Sequence, residues 1–112
     1  MTFLALASQK SLLSLQKSFL QFQLLRIQND MSYYAAEMGA IKKSYQELGN
    51  SDKSFEDDAD YIYYEQLDEQ LGAEKDSVES QMQVIENEIS GLKTLVQNGI
   101  KSSCTLNMAS GG

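Results

Sequence analysis

The 112-residue sequence contains no proline, no histidine and no tryptophan, and only one cysteine. Without histidine, the commonest general base and the commonest transition-metal ligand are missing. Cys104 alone can form neither an internal disulfide nor a Cys-based zinc site. It reads as a small, half-buried residue and gives no firm redox clue. Glycine is sparse and falls mostly near element ends. No apolar run approaches the ~20 residues of a membrane span. No acid precedes Asp30.

What is present is a helix-forming vocabulary. Leu, Gln, Glu, Lys, Ala and Met dominate, and all sit comfortably in helices. The Val, Ile and Thr alternation that long strands need is missing. The composition therefore predicts an all-α chain of one small domain. Charge is uneven within a net of −7. Residues 1–50 carry five basic and three acidic groups, whereas residues 51–112 carry four basic and thirteen acidic groups. Nucleic acid is not an expected partner, because phosphate contacts require a basic surface.

Apolar periodicity divides the chain into two arms. The first, about residues 3–48, has a seam of Leu6, Leu13, Leu20, Leu24, Ile27, Met31, Tyr34, Met38, Ile41, Tyr45 and Leu48. From Leu20 the steps alternate between four and three, the coiled-coil repeat. Lys10 and Lys17 interrupt it. The second arm, about residues 58–102, has a seam of Tyr61, Tyr64, Asp68, Leu71, Lys75, Val78, Met82, Ile85, Ile89, Leu92, Val96 and Gly99. Residues 103–112 show no periodicity and read as a loose tail in an isolated molecule.

Residues 49–58 read as the connection. Gly49 is placed to end the first helix, with Lys42 and Lys43 near that end. Ser54 or Asp57 is the expected cap of the second helix, and Glu56, Asp57, Asp58 and Asp60 suit its positive N-terminus. A calcium loop is the sharper alternative, but the EF-hand glycine and final glutamate are absent.

The resulting fold is a long antiparallel two-helix coiled-coil hairpin. Facing residues in such a hairpin have numbers with a constant sum. Pairing Met31 with Val78 sets it at 109 and centres the hairpin inside the connection. This register pairs Leu20 with Ile89, Leu24 with Ile85, Ile27 with Met82 and Met38 with Leu71. It sets Lys75 opposite Tyr34, where a cation–π contact is available. Lys17 then lies opposite Leu92 and snorkels outward. Ala35, Ala36, Gly39 and Ala40 fall near Gly72 and Ala73, which suggests close approach of the axes. Tyr45, Tyr61, Tyr63 and Tyr64 are expected to seal the turn end with rings inward and hydroxyls in water.

A second apolar stripe remains on the first arm: Leu12, Leu15, Phe19 and Phe22, with Leu25 beside them. With Leu13 at heptad position d, these residues point away from the seam. The second arm has only isolated Val84 and Leu95 outside its seam. Monomeric proteins seldom leave such a patch in water. The stripe therefore reads as an assembly interface, with a tail folded back through Leu106 and Met108 as the alternative. Met1–Gln28, basic and serine-bearing, also resembles a transit peptide or a membrane-surface helix.

The paired arms over residues 3–102 and the short polar turn Gly49-Asn50-Ser51-Asp52 resemble the small axial proteins of type III secretion needles and flagella. That resemblance implies a self-assembling structural subunit forming a filament, tube or helical oligomer. Copies of the chain are then the main partners, with a secretion apparatus or chaperone as a further one. It implies a secreted or extracellular location, without a cleaved Sec signal, over a cytoplasmic one. Two alternatives stand beside it. One is a secreted or adaptor hairpin binding a different protein, although the Trp-x-Gly turn of type VII substrates is missing. The other is an amphipathic membrane-surface protein. No enzyme is expected. There is no nucleophile–base pair, no phosphate loop, and no Glu-x-x-His pattern for a di-metal bundle. Neither a cofactor nor a metal is expected.

Overall fold

A computed structural model describes residues 3–49 and 54–110, with side-chain surroundings for 4–49 and 54–100. Asn50, Ser51 and Asp52 of the expected turn lie outside the described residues. So do the side chains of Cys104, Leu106 and Met108, and with them the half-buried cysteine and the folded-back tail. The chain is an all-α helical hairpin. Helix α1 spans Phe3–Leu48, a 3-10 turn spans Phe55–Asp57, and helix α2 spans Ala59–Ser110. The chain divides into two compact units, one of Met1–Gln21 with Ser80–Gly112 and one of Phe22–Glu79.

Both helices run without a break because nothing in them lacks a backbone donor, there being no proline. Hydroxyl side chains inside them bond back one turn rather than competing with the ladder. Ser18 and Ser44 donate to the carbonyls of Ser14 and Ala40, and Thr94 donates to that of Ser90. Helix α1 ends as expected at Gly49, whose φ of 59° is open to glycine and whose N–H donates to the Gln46 carbonyl at 3.3 Å. Lys42 and Lys43 do not serve that end, and the last turn holds no cation. Lys43 pairs with Glu47 at 4.0 Å, and Lys42 lies over the Phe55 ring, 5.3 Å from its centre.

The cap of α2 differs from the expectation. Ser54 caps only the 3-10 turn, accepting from the Glu56 N–H at 3.2 Å. Asp58 caps α2 itself: its Oδ1 accepts from the N–H groups of Asp60 and Tyr61 at 2.9 and 3.1 Å. The 3-10 turn consumes Asp57 and leaves the next carboxylate in the capping position. At its other end α2 continues through 103–110, where no seam was legible.

The seams are the buried faces. Leu6 and Leu20 in the first unit, and Ile27 and Val78 in the second, are only 7–8% exposed. The remaining seam positions are half-buried, with Leu48 the exception at 76% exposed. No described side chain is completely buried. Each unit is thus a thin antiparallel helix pair, covered on one side only.

The pairing register is lower than 109. In the first unit Lys17 meets Glu86; in the second Tyr34 meets Tyr64 and Tyr45 meets Asp58. Their numbers add to 103, 98 and 103, which is 6 to 11 below the expected sum, and a slip of one heptad is the nearest that keeps a and d positions facing each other. A seven-residue slip returns every a and d position to an a or d position, so the seam pattern cannot tell the two registers apart. The turn decides. Because α2 is capped at Asp58 and Asp58 is held by Tyr45, α2 begins beside Tyr45 and leaves Leu48 uncovered. Lys75 consequently does not face Tyr34 and pairs with Glu79 at 3.9 Å. Ala35, Ala36, Gly39, Ala40 and Ala73 are exposed, and no heavy atom lies within 4 Å of a Cβ built at Gly39 or Gly72. These small residues lie off the a and d positions, and they mediate no close approach.

Candidate assembly interface

The stripe residues are where the helical spacing puts them. Leu12, Leu15 and Phe19 in the first unit are 57, 68 and 61% exposed; Phe22 and Leu25 in the second are 66 and 55% exposed. Within the same helix, the seam residues Leu20, Leu24 and Ile27 are buried or half-buried. The difference follows from the heptad: positions c and f cannot reach the partner arm when a and d do.

In the first unit the stripe borders a groove. Gln9, Leu12 and Leu13 form one wall, and Glu88, Gly91, Leu92 and Leu95 the other, around a volume of 470 Å³. Leu95, isolated in the sequence, is 53% exposed and belongs to this groove. Gly91 widens it, with no heavy atom within 4 Å of a Cβ built there. Sequence reasoning missed Gly91 because its role depends on which arm lies beside it. The one available signal was Leu95 standing three residues after the seam residue Leu92.

Lys17 does not snorkel away. Its Nζ lies 3.3 Å from Glu86 Oε1, across the helix pair and half-exposed. A cation at a seam position is tolerated because a carboxylate on the facing arm accepts it. Such a partly exposed pair contributes up to about 1 kcal/mol.

The second unit carries an aromatic row. Tyr33, Tyr34, Tyr64 and Tyr63 contact one another in that order, with ring centres 5.6, 5.7 and 5.7 Å apart. Tyr34 and Tyr64 sit on the seam, whereas Tyr33 and Tyr63 are exposed. Tyr61 packs edge-on against Phe55 at 5.1 Å. Tyr45 departs from the expected hydroxyl in water: it donates to Asp58 Oδ2 at 2.6 Å. That bond pushes the Tyr45 phenol above its ordinary value and, with the N–H of Tyr61, holds the Asp58 carboxyl below its own. Tyr64 is raised chiefly by its partial burial, and then by Glu37.

Among the described residues no group of three or more Cys, Asp or Glu is placed to hold a metal, and no helix is long and apolar enough to cross a membrane. Fold and surface together define a two-helix hairpin with an outward apolar face on its first helix. No protein family, curated protein or solved structure matches the chain.

Proposed function

We propose that this chain is a non-enzymatic structural protein that self-assembles through the N-terminal half of α1 into a filament, tube or helical oligomer. The observation that carries this is the exposure of Leu12, Leu15, Phe19, Phe22 and Leu25, each more than half open to solvent. The thin seam gives the second support. Two-helix scaffolds bury little, and stability commonly comes from a partner. Phe19 and Phe22 are the largest stripe members, and each is worth roughly 1.5–3 kcal/mol if fully buried.

The test is Phe19→Asp with Phe22→Asp, which places two charges in a desolvated contact. This variant should keep wild-type helicity by circular dichroism, since both residues lie outside the seam, while light scattering shows the loss of large species. The seam change Ile85→Asp should lower helicity as well. Wild-type protein that stays monomeric at every concentration would count against the proposal. Monomeric protein that floats with anionic liposomes would move the stripe to a membrane surface.

A further inference from the structure

We infer that the tyrosine row of the second unit, with Glu37 and Asp60 beside it, docks an arginine-bearing segment of a partner protein. This does not rest on self-assembly, because none of these residues belongs to the apolar stripe. Tyr33, Tyr34, Tyr64 and Tyr63 run from one helix to the other, and the first and last rings are each 57% exposed. Each exposed ring stands one residue before a seam tyrosine. In an antiparallel helix pair that position falls on the same side of both arms, so the two exposed rings flank the seam together. At 3.6 residues per turn, Glu37, three after Tyr34, and Asp60, four before Tyr64, fall on that side too. The Tyr64 phenol is raised by partial burial first, and the charges of Glu37 and Asp60 add to it.

Charge selects the occupant. Residues 27–41 carry two acids and residues 54–74 carry eight, and neither stretch contains a lysine or an arginine. Lys42, Lys43 and Lys75, just beyond them, are engaged by Phe55, Glu47 and Glu79. Among the described residues neither Glu37 nor Asp60 has an ion-pair partner, although Glu37 is half-buried. An apolar occupant would strip more water from Glu37 and give it no partner, which costs free energy. An anionic occupant would be repelled. A cation gains from both parts of the surface: the ring faces attract it, and the carboxylates accept its hydrogen bonds. Arginine fits better than lysine, because its planar guanidinium stacks on a ring while its fork of N–H groups reaches a carboxylate.

The probe is a dye-labelled hexa-arginine peptide, with hexa-lysine beside it, followed by fluorescence anisotropy. Wild type should bind one hexa-arginine per chain, and hexa-lysine several-fold more weakly. Tyr33→Leu with Tyr63→Leu removes both exposed rings and leaves good helix formers in their place. This variant should keep wild-type helicity by circular dichroism and lose roughly tenfold in affinity. Glu37→Gln should weaken binding several-fold. Glu88→Gln, in the other unit, makes the same change in net charge and should bind as wild type does. Hexa-lysine that binds as tightly as hexa-arginine, a tyrosine variant at wild-type affinity, or equal weakening by Glu37→Gln and Glu88→Gln would each overturn the docking site in favour of bulk charge attraction. Wild type that binds neither peptide would overturn it outright, while leaving self-assembly standing.

Discussion

Asp58 shows how one carboxylate sets the geometry of a long helix. It caps α2 through Oδ1 and accepts the Tyr45 hydroxyl on Oδ2, so the start of α2 is pinned to α1 at the same residue. The carboxyl is held below its ordinary value of about 4, first by the Tyr45 bond and then by the Tyr61 N–H. A depressed folded-state pKa adds stability above the ordinary carboxylate range, and that stability is lost as pH falls through the depressed value. Tyr45 carries the opposite sign. Its raised phenol adds stability below its ordinary value of about 10, lost as pH climbs past that value. Asp58→Ala should therefore melt below wild type, with the difference widest between about pH 5 and pH 9. The two melting curves should draw together under acid and again under strong base. A difference constant from pH 3 to pH 11 would show that the Tyr45–Asp58 bond does not couple to stability.

At the scale of the helices, the seam is a property of sequence and the register is not. Leu20, Ile27 and Val78 are where the three-four repeat put them, Leu6 lies two heptads before Leu20 on the same seam, and Met31, Met38, Leu71, Met82, Ile85 and Ile89 are half-buried on the same faces. The register escaped because a heptad repeat maps onto itself after seven residues. The feature that chose between registers is a cap, and Ser54, Asp57 and Asp58 are equally good cap residues by composition. The tail escaped for a different reason: residues 103–110 carry no apolar period in the sequence, so periodicity offers nothing that marks a helix there. The exposed stripe was legible because its spacing is local, while the α2 wall of the groove was not, because it depends on the register. A disulfide test resolves the pairing. In a Cys104→Ser background, cysteines at Ile27 and Leu71, which line one cleft, should bond within a chain under mild oxidation. Cysteines at Tyr34 and Lys75 should not. Tyr34 contacts Tyr64, and residue 75 lies eleven positions further along α2, about 16 Å at 1.5 Å per residue. That exceeds the Cα separation a disulfide spans. The opposite pattern would restore the higher register.

For the molecule as a whole, stability and assembly are one quantity. Among the described residues four side chains fall below a tenth exposed and none is completely covered. Most seam residues are only half-buried, and each realises part of the roughly 1.5–3 kcal/mol that full burial supplies. Against this stands backbone ordering of about 1–2 kcal/mol per residue. A chain balanced so finely gains visibly from covering Phe19, Phe22 and their neighbours. By mass action, a copy present at about 100 times its dissociation constant adds about 2.7 kcal/mol of apparent stability. For a chain of this size that corresponds to a rise in Tm on the order of 10 °C. Wild-type Tm should accordingly climb with protein concentration across a hundredfold range. The variant Phe19→Asp with Phe22→Asp should melt at the wild type's dilute value whatever its concentration, because it has lost the contact and kept the seam. A wild-type Tm independent of concentration would mean that the hairpin holds itself together unaided and that the stripe adds nothing to its stability.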